Sequence, residues 1–511
     1  MKQSYLANYI QLYFWQFVAI LLNFASMLIV LPLLAKNREL FGIYSFSISL
    51  IVFLSYADIG FISSGLKYAS EFFSQNDIER EVGVTGFSLF ILSLGLILYF
   101  GAMLLFWSDP TIILSDLSIA TKPVASSMFL ILAIFTPAYV LQKAGMIIYG
   151  VRVEDYIPKK INIIGHLVKI GSIFYFFREG VANIVGYFLF FQIINLICFL
   201  TAFILSKHLY NYPVNKLIQS IRFSKKYYII SKNLALASFT ASIAWVIYYE
   251  LDNMAVGKIL GISDLGVYAV GFSLLSFLRS IYGVLFSPLN ARFNHFMGLK
   301  DYFGLKEFYA KILRTLFPVL TFPLISGLFL MNNLVLTWVG SNYQDAFQIA
   351  RLLVATILFA FLSYPAGILL IAQERTKTIY RLNLLLIVVF WGGVVLTVQS
   401  WGLFSFAFFK LIAYLASIGV FSFITIRFLE LSIFKLIKQN LPGIFVSVGI
   451  IAITTLPFLK WLPMEKSPFH LILVVTWGAF STSLAWIAYF LINRPFRGEF
   501  LFVVDQVRQR I

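Results

Sequence analysis

Six basic residues, Lys67, Lys143, Lys169, Arg279, Arg351 and Lys410, lie inside long apolar runs or at their edges. An ionisable group in hydrocarbon is costly and normally faces a bundle interior or a wet cavity. Six cations against few intramembrane acids describe a site for an anionic ligand. Lys67, Lys143 and Arg351 fall near run ends, where long side chains also snorkel to headgroups. For Lys169, Arg279 and Lys410, which lie deeper, cavity lining is the stronger reading.

The accompanying acids are Asp58, Glu250 and Asp252. An intramembrane carboxylate carries a proton, binds sodium or serves as a counter-ion to a nearby lysine. Asp58 and Lys67 are nine residues apart, on opposite faces of a regular helix, so direct pairing is not expected. Glu250 and Asp252 also diverge, being two residues apart. Gly60, Ser63, Ser64 and Gly65 form a small-residue stretch that suits close helix packing or a bend that gates. Pro137 and Pro365 are read as kinks, structural or hinge-like.

Other chemistries start without residues. No GxxxxGK[ST], HExxH or GxSxG is present, and His166, His208, His295 and His470 are scattered. Cys198 is the only cysteine, which leaves no disulfide framework or zinc site. No enzyme activity, metal or cofactor is expected.

The elements that hold these residues follow from composition. Of 511 residues, 60% are hydrophobic and 12% charged, and the mean hydropathy is +0.89. A soluble chain cannot hide that much apolar surface, whereas a bilayer accepts it. The expected fold is an all-α polytopic membrane protein of about 14 helices. The spans run near 12–35, 41–66, 84–107, 126–150, 160–177, 182–206, 233–253, 264–287, 312–335, 346–372, 380–399, 402–427, 441–459 and 469–492. The N-terminal segment reads as an uncleaved first helix, because its apolar stretch continues to Leu34.

A net charge of +17 would suggest nucleic acid in a soluble protein. Here Lys and Arg sit mostly between apolar runs. They crowd alternate loops, at Lys216, Arg222, Lys225 and Lys226, at Arg292, Lys300 and Lys306, at Arg375 and Lys377, and in a tail with Arg494, Arg497, Arg508 and Arg510. This positive-inside pattern puts both termini in the cytoplasm and excludes a nucleic-acid role. Trp107, Trp338, Trp401 and Trp461 then fall near the outer span ends as an interfacial belt.

An internal repeat divides the chain. FGIYSFSISLIVFL at 41–54 aligns without gaps with LGVYAVGFSLLSFL at 265–278, pairing Gly42 with Gly266 and Tyr44 with Tyr268. Pro137 and Pro365 recur in spans four and ten. The expected domains are an N-lobe at 1–210, a basic linker at 211–232, a C-lobe at 233–430, and two extra helices with a basic tail at 431–511. The six-helix lobes are parallel repeats around a central cleft, and each contributes three of the cations.

ADIGFISSGLKYASE at 57–71 is similar to the span-two motif of Wzx-type oligosaccharide flippases. ELDNMAVGKILGISDLGVY at 250–268 resembles the segment opening their second lobe, and TWVGSNY at 337–343 their Trp-x-Gly-x-x-Tyr. The resemblance covers nearly the whole chain, weakening after about residue 430, and its loose motifs identify the multidrug, oligosaccharidyl-lipid and polysaccharide exporter superfamily better than the substrate. It implies a bacterial inner-membrane protein that moves a polyprenyl-diphosphate-linked oligosaccharide (O-antigen, capsule or exopolysaccharide unit) outward by alternating access. The cations would bind the diphosphate, and the extra helices would accommodate the lipid tail. Implied partners are that glycan, membrane lipids, and glycan polymerase and assembly proteins; the chain itself is read as a monomer. A cation-coupled multidrug exporter of the same superfamily is the alternative. More distant is a membrane glycan polymerase or ligase, which would be expected to carry a large catalytic outer loop.

Overall fold

The computed structural model describes residues 5–54, 56–178, 183–431 and 433–508. Arg510 of the basic tail lies outside the described residues. The described chain is helical, without strands, and its helices form two compact units, Met1–Ala269 and Val270–Ile511.

The first unit opens with α1 (Tyr5–Leu34), α2 (Arg38–Leu54), α3 (Phe61–Ser74) and α4 (Ile78–Ser108). It continues with α5 (Lys122–Phe135), α6 (Ala138–Val151), α7 (Tyr156–Phe176) and α8 (Ile184–Tyr210). Short α9 (Val214–Ser220), then α10 (Lys225–Tyr249) and α11 (Leu251–Ile259), lead into α12 (Ile262–Phe286), which crosses the boundary between the units. The second unit holds α13 (Leu289–Leu299), α14 (Tyr302–Phe329), α15 (Met331–Val339), α16 (Ala346–Ala355) and α17 (Ala360–Ala372). It ends with α18 (Thr376–Trp401), α19 (Leu403–Leu429), α20 (Ile433–Thr455), α21 (Pro468–Ile492) and α22 (Arg494–Arg508). The basic stretch 211–232 is thus helical in part, containing α9 and the start of α10.

Helix is the element that satisfies every backbone group within one segment, which hydrocarbon demands. Polar side chains mark the starts. Asp77, Asn183 and Asp301 accept from the backbone N–H of Arg80, Gly186 and Gly304 at 3.0, 2.9 and 2.8 Å, satisfying donors that a helix leaves orphaned. Asn211, Lys300 and Glu430 end α8, α13 and α19 in the left-handed conformation.

Ten helices among the described residues are long and apolar enough to cross a membrane, or twelve when two bent pairs count as one span each. The two remaining expected spans differ from the expectation. The span at 41–66 is broken: α2 has 17 residues, α3 has 14, and residues 56–60 form a turn with Ile59 and Gly60 at positive φ. Each piece is shorter than the ~20 residues a bilayer needs. The span at 160–177 becomes the 21-residue α7, which carries Lys159, Lys160 and Lys169.

The bent pairs are α5–α6, at 48°, and α16–α17, at 44°. Pro137 sits at the first bend, where the Ala133 carbonyl accepts from Thr136 N–H (3.1 Å); proline has no N–H to continue the ladder. The second bend is not at Pro365. It falls at 356–359, where Ile357 and Leu358 donate to Val354 and Ala355 at 3.1 Å in a tightened turn, while Pro365 is buried inside α17.

The last helices are built into the second unit rather than appended to it. Trp486 Nε1 donates to the Pro318 carbonyl (2.9 Å), Ser326 Oγ to that of Gly478 (3.2 Å), and Tyr489 packs edge-on to Phe322. In the first unit the core gathers Ile62, Val84, Leu92, Ile147 and Ile148 from α3, α4 and α6.

Candidate functional site

The six predicted cations take three kinds of position. Lys67 is on the exposed face of α3, paired with Glu71 one turn on at 2.7 Å. Arg351, on α16, is exposed and stands 5.4 Å from the Phe347 ring centroid. Both are exposed, the position from which a long side chain can extend along the helix surface.

Lys143 and Lys169 belong to the first unit. Lys143 is half-buried on α6 and lines a cavity of about 360 Å³, with the Asp58 carboxylate in electrostatic range. Lys169, only 4% exposed on α7, donates from Nζ to Asn195 Oδ1 of α8 at 2.6 Å and stands 4.0 Å from the Phe191 ring centroid. Asn195 Nδ2 in turn donates to Gln192 Oε1 (3.2 Å). The lysine is therefore solvated by one amide, itself held by a second, and by a ring face, the kind of compensation that a buried ammonium requires.

Arg279 and Lys410 come together in the second unit. Arg279 of α12 is 8% exposed and Lys410 of α19 is 1% exposed. Their charged groups lie 5.4 and 5.5 Å from the centroid of one ring, Phe272, and Lys410 is also 5.4 Å from Phe390. Arg279 is in electrostatic range of Tyr364, which stacks on Phe286 at 5.2 Å. Phe272 and Arg279 are seven residues apart, which places them on one face of α12. An aromatic face attracts cations, so the Phe272 ring holds two positive groups together in one buried cluster.

The acids are structural as well as charged. Asp58 is buried in the α2–α3 break and accepts from Ile62 N–H at 2.9 Å, capping α3. Glu250 is buried between α10 and α11. Asp252 is fully buried on α11 and accepts from the Tyr268 hydroxyl of α12. Beside it, Asn253 Nδ2 donates to Ser49 Oγ of α2 at 3.0 Å. Asp58 lies in the break and Lys67 on α3, where it pairs with Glu71, so the two do not share one regular helix as the spacing argument assumes.

Of the expected hinge positions, Gly60 adopts φ +75°, and a Cβ there would lie 2.3 Å from the Ala235 carbonyl oxygen, so α10 packs directly on the break. Gly65 is in the interior of α3 against Ser88 of α4. Near the third motif, Gly340 ends α15 at φ +101°, between buried Trp338 and Tyr343.

Sequence reasoning missed three polar partners. Arg152 forms a buried ion pair with Glu81 at 2.9 Å and stands 4.7 and 4.8 Å from the ring centroids of Phe73 and Tyr210. Glu39 Oε2 accepts from the Ser118 and Thr121 hydroxyls, each at 2.7 Å. Gln192 and Asn195, three apart in an otherwise apolar run, were the available signal for the partner of Lys169. No cluster of metal-ligating side chains occurs among the described residues.

No protein-family model matches the chain, and no curated protein matches it in sequence. Solved structures do match. A lipid II flippase, MurJ, in an inward closed conformation superposes with a TM-score of 0.64 at 13% identity, over 95% of this chain and 99% of that one. An inward-facing multidrug resistance MATE family transporter of the MOP superfamily gives 0.58 at 11% identity, over 80% and 94%. A MATE transporter of Vibrio cholerae gives 0.52 at 11%, over 83% and 97%. The fold of this membrane-spanning chain is the one seen in these solved flippase and multidrug transporter structures.

Proposed function

We propose that the chain is a flippase for a polyprenyl-diphosphate-linked oligosaccharide in the bacterial inner membrane, with both termini cytoplasmic. The observation that carries this reading is the Arg279–Phe272–Lys410 cluster: two buried cations on one ring, a pairing that suits phosphate oxygens. A binding site for cationic drugs calls for acids instead. Coverage adds support. The flippase match leaves about 26 of 511 residues out, so it reaches into the C-terminal helices, whereas the two exporters leave out about a fifth. The proposed functional lobes are 1–210 and 233–430, joined by the basic linker 211–232, with 431–511 serving the lipid portion.

The multidrug reading keeps one specific observation in its favour, the buried Asp252–Tyr268 pair, since a buried carboxylate is what cation coupling uses. One experiment separates the two. Proteoliposomes are loaded with a fluorescent polyprenyl-diphosphate glycan, and in parallel with a cationic dye. Flipping of the glycan, lost in Arg279→Gln and Lys410→Gln, is expected. Dye transport without glycan flipping would reverse the assignment.

A further inference from the structure

The cavity in the first unit, between α1, α3, α6, α7 and α8, is not part of the Arg279–Phe272–Lys410 cluster that carries the cargo reading, although its Lys143 is one of the six cations the sequence offers for the cargo. Its volume is about 360 Å³, at the small end of ligand pockets and enough for one headgroup rather than a sugar chain. Its polar lining includes Gln16 of α1, Lys143 and Gln142 of α6, Asp155 just before α7, and Lys159 and Asn162 of α7. Between these groups the walls are apolar, with Leu66 and Phe199. Gln142 and Met146 are exposed at its edge, so the cavity communicates with the outside of the unit.

Charge, polarity and position each narrow the occupant. The lining carries two ammonium groups and one carboxylate, with Asp155 in electrostatic range of Lys159. Asp58 acts on Lys143 from outside the lining. One net positive charge in the wall suits a singly charged anion better than a multiply charged one. The amides of Gln142 and Asn162 add neutral donors. Apolar walls disfavour a fully hydrated ion and favour an amphiphile. Asp155 and Lys159 open α7 just after Arg152, on the side that the loop charges predict to be cytoplasmic.

We infer that this cavity seats the phosphodiester head of one bilayer phospholipid, with Lys143 and Lys159 on its phosphate oxygens. The binding is non-covalent and independent of the cargo. Free phosphate shares the anionic chemistry but lacks the diester charge and the apolar stem.

The test titrates the purified full-length protein with phosphatidylglycerol, with diacylglycerol of the same chains, and with inorganic phosphate, following adducts by native mass spectrometry. A one-to-one phosphatidylglycerol adduct is expected. Lys143→Gln and Lys159→Gln should each weaken it about tenfold, the loss of one charge-assisted hydrogen bond, and Lys159→Arg should retain it. Cys198, the only cysteine of the chain, also lines the cavity. Its alkylation by a small thiol reagent gives a second readout: phospholipid should slow it in the wild type and not in the Gln variants. Equal binding of diacylglycerol, or full affinity in both Gln variants, overturns the site. Displacement of the lipid by millimolar inorganic phosphate with the same protection of Cys198 overturns the lipid as its occupant.

Discussion

Gly42 and Gly266, equivalent residues of the internal repeat, are packed reciprocally. A Cβ on Gly42 would lie 2.2 Å from the Ile262 carbonyl oxygen, and one on Gly266 would lie 2.4 Å from that of Arg38. Arg38 and Ile262 are separated by the same 224 residues as the two glycines. The contact between α2 and the start of α12 therefore maps onto itself, the pattern that a local two-fold axis produces. Either alanine substitution should force the backbones apart and cost about 1–3 kcal/mol. The double substitution should cost less than the two together, because the first has already opened the contact. Thermal unfolding in detergent reads both effects; a Gly42→Ala protein as stable as wild type would remove this explanation of the pairing.

Asp252 and Tyr268 make a second test. Tyr268 is also a repeat residue, and its hydroxyl bonds the carboxylate on α11. If this acid couples transport to an ion gradient, Asp252→Asn should make flipping insensitive to collapsing the gradient. Tyr268→Phe should instead keep the gradient dependence and shift its pH profile. Flipping by the wild type that is indifferent to the gradient from the outset would leave Asp252 a structural acceptor.

The connection after α4 offers a pH prediction. Asp109 Oδ1 accepts from the Thr111 hydroxyl (2.7 Å), Lys122 Nζ (3.0 Å) and Thr111 N–H (3.2 Å). These donors, the Thr111 hydroxyl foremost, lower its carboxyl pKa to about 2. A depressed carboxylate contributes fully above its unfolded value and loses that contribution as pH falls through the folded one. Amide exchange across 109–122, taken relative to each amide's intrinsic rate at the same pH, should accordingly stay constant from neutral pH to about pH 4 and rise only below it. Asp109→Asn should raise it at neutral pH.

Orientation is testable by labelling in a Cys198→Ser background. Cysteine at Lys225, exposed at the start of α10, should react only from the cytoplasm. On the opposite side Ser341 is a better position than Gly340, because Gly340 has φ +101° with the Lys466 side chain against it, whereas Ser341 is exposed. Ser341→Cys should react only from outside. Labelling of both residues from one side would refute the positive-inside assignment.

The helical, many-span architecture was legible because long apolar runs leave a chain in lipid few other choices. The repeat was legible at Gly42 and Gly266 because close helix contacts tolerate little else. Lys169, Arg279 and Lys410, which lie deep in the apolar runs, are buried. Hydropathy did not show the break at 56–60, since apolar flanks read the same whether or not the helix between them is continuous. Neither did it show that Arg279 and Lys410, 131 residues apart, share the Phe272 ring. That pairing depends on how α12 and α19 are turned toward each other, which no local pattern encodes. Pro365 misled because a proline buried inside a packed helix need not be where that helix bends.

The broken and bent spans carry a consequence for mutagenesis. At 56–60, 136–137 and 356–359 the helical ladder tightens to bonds three residues back, which takes several peptide N–H and C=O groups out of the regular helical pattern. These groups are polar wherever they lie in the bilayer and belong to no side chain. Alanine scanning leaves them in place, so a residue-by-residue survey will understate the polarity along any path past the breaks. Backbone chemistry, such as amide-to-ester replacement at Phe61 or Tyr139, reaches what side-chain substitution cannot.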